Sequence, residues 1–218
     1  MRPLLKLCGN HSNQDTNRSL QSSADYIGFV FAKSKRQVTR EKVQDWLSNT
    51  SKNDKKIVAL FVNERADQIE AALDGLPIDV IQCHGDESPE EVKEIKIRLA
   101  LPIFKAIHHH EDALKRMKMF EGIASGYIVD CKVGNQWGGT GVSFDWTTIP
   151  SYLKEGKRQK VPVFIAGGIR PENVEEVLKY EPDGIDVSSG IEKNGMKSTE
   201  LISLLEERVK SYDYNVPR

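Results

Sequence analysis

Residues Val161–Gly190 read VPVFIAGGIRPENVEEVLKYEPDGIDVSSG and contain one complete strand–helix–strand unit. Val161–Ala166 and Gly184–Ser188 are short runs rich in β-branched residues, which is typical of buried strands. Between them, Glu172–Tyr180 has a helix-like pattern, and Pro171 is expected in the first turn of that helix. Two strands joined by a helix run parallel in the same sheet, so this stretch predicts an α/β fold.

The same alternation of strands and helices runs along the whole chain. With the two strands above, the strand-like runs number eight; the others are Pro3–Cys8, Tyr26–Phe31, Lys56–Val62, Asp79–His84, Pro102–Ile107 and Gly126–Asp130. Eight parallel strands is the number that closes a barrel, so the sequence predicts a single-domain (β/α)8 TIM barrel over residues 1–218. The competing fold, a doubly wound open sheet, predicts a glycine-rich dinucleotide-binding turn after the first strand, and the sequence has none there.

The composition excludes several classes of function. Lys and Arg number 31 against 32 Asp and Glu, a formal net charge of −1, which argues against a nucleic-acid or membrane-surface binder. No apolar run approaches the roughly 18 residues of a membrane span, and the first residues lack the apolar core of a signal peptide. Three cysteines without a CxxC pair argue against a disulfide framework or a zinc knuckle. We therefore expect a cytoplasmic protein with no nucleic-acid, membrane or obligate protein partner.

Two turns at the ends of the last two strands are candidates for binding an anion. They are Gly167-Gly168 and Ser188-Ser189-Gly190. In many barrels the loops after strands seven and eight bind phosphate through backbone N–H groups and a short helix N-terminus. Glycine lets the backbone approach the anion closely. The alternative is a pair of ordinary tight turns; we predict a site for a small phosphorylated molecule.

Cys8 and Asp130 are candidates for acid–base chemistry, because they end strands one and six, on opposite sides of the barrel mouth. A cysteine acts as a base only as the thiolate, and its free pKa near 8.5 leaves little thiolate at neutral pH. Lys6, on the same face of the strand, could lower that pKa or could pair with Asp186 instead. A carboxylate at the end of an apolar strand needs a partner or a task. The alternative interpretations are that Cys8 is an inert barrel residue and that Asp130 caps the following loop.

Four other features are less specific. Arg36 ends the basic loop Lys33–Arg36 and suits a bidentate grip on a carboxylate, although the loop could simply be solvated. His84 is either a structural histidine or a substrate contact. Consecutive residues cannot direct three imidazoles at one ion, so we interpret His108–His110 as a surface tract and predict no metal. The stretch Gly134–Gly141 is either a lid or a mobile connection.

Several motifs resemble those of the phosphoribosylanthranilate isomerase family. They occur in the family's order and span about residues 4 to 193: KLCG at Lys6–Gly9, SKR ending at Arg36, LFVN at Leu60–Asn63, IQCHGDE at Ile81–Glu87, GGTGVSFDW at Gly138–Trp146, AGGIRPENV at Ala166–Val174 and GIDVSSGIE at Gly184–Glu192. The GGTGVSFDW and DVSSGIE elements are the specific ones. Asn10-His11 and Cys83 depart from the family's usual residues, which affects loop details only.

The resemblance implies an isomerase of tryptophan biosynthesis. Its reaction would be an Amadori rearrangement of N-(5-phosphoribosyl)anthranilate to 1-(2-carboxyphenylamino)-1-deoxyribulose 5-phosphate, with no cofactor and no metal. Asp130 aligns with the general acid and Cys8 with the general base. Arg36 aligns with the arginine that binds the anthranilate carboxylate, and Gly168 and Ser188–Gly190 align with the phosphate site. We also expect substrate contacts from His84, Gly167 and Asp186.

Three alternatives remain open. A pentose-phosphate epimerase on the same barrel would need His and Asp metal ligands at strand ends. The neighbouring indole-forming synthase would need a catalytic lysine and glutamate there, and neither pattern is evident. A non-catalytic sensor of a phosphorylated metabolite would keep the two glycine-rich loops but would not need Cys8 opposite Asp130.

Overall fold

A computed structural model of the protein describes residues 2–48, 52, 54–130 and 146–212. Eight parallel strands close into a barrel in sequence order, with the eighth strand paired to the first. The strands are β1 (Leu4–Leu7), β2 (Tyr26–Val30), β3 (Lys56–Phe61), β4 (Val80–Cys83), β5 (Ile103–His108), β6 (Gly126–Asp130), β7 (Val163–Ile165) and β8 (Gly184–Val187). The predicted (β/α)8 barrel is therefore confirmed, and each strand overlaps the apolar run that predicts it.

Helices alternate with these strands and cover the outside of the barrel. They are α1 (Asn13–Gln21), α2 (Arg40–Ser48), α3 (Ala66–Leu73), α4 (Pro89–Leu99), α5 (Ala113–Met119), α6 (Ile149–Gln159), α7 (Val174–Leu178) and α8 (Thr199–Ser211). α4 begins where the sequence predicts, because Ser88 and Glu91 form a reciprocal capping box and Pro89 occupies the first turn.

The predicted start of α7 is wrong. The helix begins at Val174, so Pro171 lies in a turn before it rather than in its first turn. Asn173 holds this turn: its side-chain oxygen accepts from the N–H of Arg170 and its amide donates to the carbonyl of Gly168, both at 2.9 Å. These side-chain bonds give the backbone an alternative to an earlier helical turn.

A two-stranded hairpin after β8 is absent from the sequence-based prediction. β9 (Glu192–Lys193) and β10 (Met196–Lys197) pair antiparallel around Asn194-Gly195, a dipeptide that favours tight hairpin turns. The hairpin brings Glu192 opposite Lys197. It therefore places one acidic and one basic side chain close to the end of β8.

The interior of the barrel is apolar at one end and charged at the other. The apolar layer is Tyr26, Val58, Val80, Phe104, Ala106, Ile128, Phe164 and Ala166. Toward the carboxyl ends of the strands, Lys6 is buried inside the barrel and is paired with Asp186. Lys105 lies between the inward-facing Phe104 and Ala106, so it points outward, where it is buried against Glu87 and over the ring of Phe120. Buried charges require such partners, so polar groups concentrate at the end where the site is expected.

The Gly134–Gly141 stretch, for which a lid and a mobile connection were both left open, lies outside the described residues, as do Cys131 and most of the Gly138–Trp146 motif. Within the described ranges, every helix is too short or too polar to cross a bilayer.

Candidate active site

Cys8 lies at the mouth of the barrel, directly after β1, and is 5 % exposed. Its thiol packs against β2 at Gly28. A Cβ at that glycine would lie 2.8 Å from Sγ of Cys8 and 3.3 Å from Nζ of Lys6, so the glycine leaves room for both groups. Burial raises the pKa of the Cys8 thiol, and the Lys6 ammonium opposes that rise. The side chain is a neutral thiol at rest.

Lys6 and Asp186 form a buried ion pair next to Cys8, with Nζ of Lys6 2.9 Å from Oδ1 of Asp186. The two residues face each other in register on β1 and β8. Burial alone would lower the pKa of Lys6, but the Asp186 carboxylate outweighs that effect and the pKa is raised, so the lysine is charged. Lys6 therefore does both things that the sequence left open: it pairs with Asp186 and it acts on Cys8.

Asp130 ends β6 and lies against His84, which follows β4. Oδ2 of Asp130 is 3.2 Å from Nε2 of His84, and Nδ1 of the same ring is 2.8 Å from the amide nitrogen of Gln82. Because that amide nitrogen can only donate, Nδ1 accepts, and a neutral imidazole then carries its proton on Nε2, facing Asp130. Oδ1 of Asp130 has no hydrogen-bond partner among the described residues. One carboxyl oxygen is thus held by His84, and the other is buried without a hydrogen-bond partner in the described part of the chain.

His108 belongs to the same cluster, and the expectation of a surface tract at His108–His110 is wrong for it. β5 extends one residue beyond its predicted end, to His108, which pairs in register with Asp130 and is 7 % exposed. Its ring lies 5.3 Å from that of His84, centroid to centroid. Burial, reinforced by His84, lowers the pKa of His108 to about 4. The His108 ring is therefore uncharged at pH 7 and lines one side of the site.

The three consecutive histidines do not converge. Nε2 of His108 is 3.2 Å from the carbonyl oxygen of His84, whereas Nδ1 of His109 is 2.7 Å from the hydroxyl of Tyr152. In the part of the chain that the structure describes, no group of three or more His, Cys, Asp or Glu side chains is arranged to hold a metal ion.

The loop before Arg36 is exposed at Lys33, Ser34 and Lys35, but the side chain of Arg36 itself is only 11 % exposed. Nε and Nη2 donate to the two carboxylate oxygens of Glu192, each at 2.7 Å. The aliphatic part of the arginine crosses the end of β1 at Gly9, where a Cβ would lie 2.5 Å from Cδ of Arg36 and 2.9 Å from Oγ of Ser188. Gly9 therefore lies against both the side chain of Arg36 and the loop after β8.

The two glycine-rich loops touch each other. A Cβ on Gly190 would overlap the carbonyl oxygen of Ile169, so the β8 loop approaches the β7 loop as closely as only glycine permits. Ser189–Ile191 forms one turn of 3₁₀ helix. A cavity of about 290 Å³ lies at these loops, lined by Gly168, Arg170, Glu172, Ser189, Gly190, Glu192 and Leu201. Gly167 lies next to this lining, whereas Asp186 is inside the barrel on Lys6.

Two residues of this region were missed by the sequence analysis. Glu192 ends the quoted GIDVSSGIE motif. It is an acidic residue directly after the predicted anion site, and the basic loop Lys33–Arg36 is predicted at the same mouth. These two facts together could have indicated an ion pair. Lys197 has no such signal, because it follows the last predicted strand in an unremarkable polar segment.

The fold and the groups at its mouth place the chain in the class of (β/α)8-barrel enzymes: the mouth carries a thiol, a carboxyl group and two touching glycine-rich loops. The profile of the N-(5'phosphoribosyl)anthranilate (PRA) isomerase family matches residues 5–208. The chain therefore belongs to the N-(5'-phosphoribosyl)anthranilate isomerase family, as its motifs predicted.

Individual relatives agree with this assignment. The chain is 54 % identical over 218 residues to an N-(5'-phosphoribosyl)anthranilate isomerase of Halalkalibacterium halodurans, with 100 % of each chain covered. It is similar to the crystal structure of phosphoribosyl anthranilate isomerase from Thermotoga maritima, at a TM-score of 0.83 and 28 % identity, covering 96 % of this chain and 99 % of that one. A phosphoribosyl anthranilate isomerase in complex with reduced 1-(o-carboxyphenylamino)-1-deoxyribulose 5-phosphate has a TM-score of 0.80 and 27 % identity, with 96 % and 99 % covered.

Proposed function

We propose that Cys8, Asp130, Arg36 and the two glycine-rich loops carry the family's reaction in this chain. The chain isomerises N-(5'-phosphoribosyl)anthranilate to 1-(2-carboxyphenylamino)-1-deoxyribulose 5-phosphate in tryptophan biosynthesis, the activity of the family to which it belongs. The assignment of roles rests on one observation: Cys8 directly follows β1 and Asp130 ends β6, with β8 and β7 and their loops between them. A ligand anchored in those loops has one group on each side.

Asp130 is the general acid of the ring-opening step. As the bond between C1 and the ring oxygen of the ribose breaks, the carboxyl group gives its proton to that oxygen, and the anilino nitrogen becomes part of a Schiff base. Oδ1 is the oxygen available for this transfer, because Oδ2 lies against His84. His84 holds the carboxyl group in place, and His108 excludes water beside it.

Cys8 is the general base of the second step. The thiolate removes the proton from C2 of the Schiff base, which yields an enolamine, and proton return to C1 then gives the ketone. Burial raises the pKa of Cys8 and so disfavours the thiolate, and the Lys6 ammonium, with a smaller contribution from Lys197, compensates for part of that cost. Asp186 keeps Lys6 charged and in position.

Arg36 and the loops bind the two ends of the substrate. The guanidinium keeps hydrogens on Nη1 and Nη2 that face away from Glu192, and these suit the aryl carboxylate. Backbone groups of Gly167, Gly168, Ser189 and Gly190 suit the phosphate. Two acidic side chains line this cavity, and both are paired with basic groups: Glu192 with Arg36 and Lys197, and Glu172 with Arg170. They therefore repel the phosphate less than unpaired carboxylates would.

Substitution of the two reacting groups tests this mechanism. We expect Cys8→Ala and Asp130→Asn each to lower kcat by about 10²–10⁴-fold, the usual contribution of a positioned acid or base. Cys83→Ala is the matched control, because Cys83 is a buried thiol on β4 and takes no part in either step. The assay follows the loss of substrate fluorescence. A Cys8 or Asp130 variant that keeps more than about a tenth of the wild-type kcat contradicts its role.

We also propose that the protein works in the cytoplasm, on a small phosphorylated substrate, without a metal, a cofactor or an obligate protein partner. Every step above is a proton transfer, which needs no Lewis acid or redox group. The free, buried Cys8 and Cys83 suit a reducing compartment. Full activity of the purified chain after dialysis against EDTA, and activity in the cytosolic fraction of its host, are the expected results.

A further inference from the structure

The β9–β10 hairpin adds two charged groups to the mouth of the barrel for which the proposed mechanism has no use. Glu192 and Lys197 face each other across the hairpin, and Nζ of Lys197 is 3.1 Å from Oε1 of Glu192. The side chain of Lys197 is completely buried and that of Glu192 is 6 % exposed. Charges buried to this degree are costly unless they are held in defined contacts.

Lys197 fastens the hairpin to the rest of the site. Its ammonium group donates to the carbonyl oxygen of Cys8 at 2.6 Å and to that of Ser188 at 3.1 Å, as well as to Glu192. Burial lowers the pKa of Lys197, and the carboxylate of Glu192 opposes that change. The position of Glu192 is thus fixed relative to β1 and to the β8 loop, independently of Arg36.

Glu192 in turn fixes the direction of Arg36. A guanidinium is planar and rigid, so a carboxylate bound along the Nε–Nη2 edge determines where the remaining edge points. In this chain both of those nitrogens bind Glu192 at 2.7 Å. Among the described residues, Nη1 has no hydrogen-bond partner. The Nη1–Nη2 edge is therefore the part of Arg36 that is left for a second carboxylate.

The charges around Arg36 keep this edge attractive to an anion. One carboxylate, Glu192, lies between two cations, Arg36 and Lys197, so the cluster has an excess of one positive charge. Burial would raise the pKa of Glu192, but Arg36 and Lys197 lower it, so the carboxylate stays ionised at neutral pH. A lone Glu192–Arg36 pair without Lys197 would be neutral.

We propose that Glu192 is a positioning residue that acts through Arg36 and makes the enzyme selective for anilines that carry an ortho carboxylate. The inference rests on the proposed role of Arg36 as the carboxylate ligand. The opposite role, in which Glu192 occupies Arg36 and competes with the substrate, predicts the reverse effects. The anchoring of Glu192 by Lys197 favours positioning, because a competitor would have to leave Arg36 when the substrate binds.

The test compares two stable ligands that differ only in the carboxylate. They are 1-(2-carboxyphenylamino)-1-deoxyribitol 5-phosphate and its 1-phenylamino counterpart, and their Kd values are measured by calorimetry. For Glu192→Gln we expect Kd of the carboxylated ligand to rise about tenfold, the effect of a weakened charge-assisted contact, and that of the other ligand to change less than twofold. The KM of the substrate should rise with it, while kcat changes little.

Further variants separate this effect from general damage. Glu192→Asp keeps the charge on a shorter side chain and should give an intermediate loss of affinity for the carboxylated ligand. This variant replaces Glu192→Gln in the test if the glutamine variant folds poorly. Glu176→Gln removes one charge from the exposed face of α7 and should leave both Kd values unchanged. Because both substitutions act on one contact, Arg36→Ala combined with Glu192→Gln should be no worse than Arg36→Ala alone.

Each contrary result has a definite meaning. Equal losses for both ligands would show a structural role for Glu192, and tighter binding by Glu192→Gln would show competition; either overturns the inference. If Arg36→Ala binds the carboxylated ligand as well as the wild type does, the proposed role of Arg36 fails and the inference with it. If Arg36→Ala loses that binding and Glu192→Gln does not, only the inference fails.

Discussion

Substitution of Gly9 tests whether Arg36 must cross the end of β1 where the structure places it. Gly9 has a φ of +78°, and a Cβ there would lie 2.5 Å from Cδ of Arg36, against 3.4–4 Å for an ordinary contact. In Gly9→Ala the arginine must therefore move by about 1 Å, since the methyl group is fixed to the backbone. Oγ of Ser188 would lie 2.9 Å from the same Cβ, and it limits the directions in which the Arg36 side chain can move.

Two effects of Gly9→Ala are expected, and they differ in size. The left-handed backbone conformation costs an alanine about 1–2 kcal/mol of folding stability. A displacement of about 1 Å at a group that orients the substrate can cost about 10²-fold in rate. We expect kcat/KM to fall about 10- to 100-fold, mainly through KM, because Arg36 binds the ground state and the transition state alike.

Gly122→Ala is the matched control. Gly122 has a φ of +74°, but a Cβ there meets nothing within 4 Å. Both variants therefore carry the same backbone strain, and only Gly9→Ala displaces Arg36. Steady-state kinetics and thermal unfolding are measured for both. If Gly9→Ala keeps a wild-type KM while its stability falls as in Gly122→Ala, the arginine does not need this path and the reasoning is refuted.

Two further predictions concern buried ionisable groups. Because the pKa of Cys8 is raised in the folded protein, iodoacetamide should alkylate Cys8 slowly at neutral pH in a Cys83→Ala/Cys131→Ala background. The midpoint of the alkylation rate against pH should lie above the ordinary thiol pKa of about 8.5, and Lys6→Met should move it higher. A midpoint below about 8.5 would be contrary evidence. Lys105 is fully buried on Glu87 at 2.9 Å, so Glu87→Gln should lower the free energy of unfolding by about 3–5 kcal/mol in urea titrations, and adding Lys105→Met should recover part of it. Burial would raise the pKa of Glu87, but Lys105 lowers it; this carboxylate therefore stabilises the fold above its unfolded pKa of about 4.3, and that stability should be lost as the pH falls below it.

The fold could be predicted from the sequence because each strand is a short apolar run bounded by polar turns. The positions of Cys8, Asp130 and the glycine-rich loops at one end followed from that, since parallel strands all end at the same rim. The burial of His108 was not predicted, because three identical residues in a row do not indicate that β5 continues through the first of them. The position of Pro171 was predicted wrongly because the side chain of Asn173, bonded to Arg170 and Gly168, holds the proline in a turn before the helix.

The ion pairs of the site could not be predicted in this way. Arg36 and Glu192 are 156 positions apart, and whether their side chains meet depends on how two loops fold over the mouth. Periodicity carries no information about such contacts. Lys6 shows the same limit: the face of β1 that it occupies was predictable, but its simultaneous proximity to Cys8 and Asp186 depends on how β8 pairs with β1.

The contact between Lys197 and the carbonyl group of Cys8 has a consequence for the order in which the protein is made. The two residues are 189 positions apart, so Cys8 leaves the ribosome long before the ammonium group that holds its backbone. β1 likewise waits for β8, its second neighbour in the barrel. A nascent chain can therefore assemble its earlier strands and helices progressively, but the contact that holds the backbone at Cys8 forms only after the β9–β10 hairpin has left the ribosome.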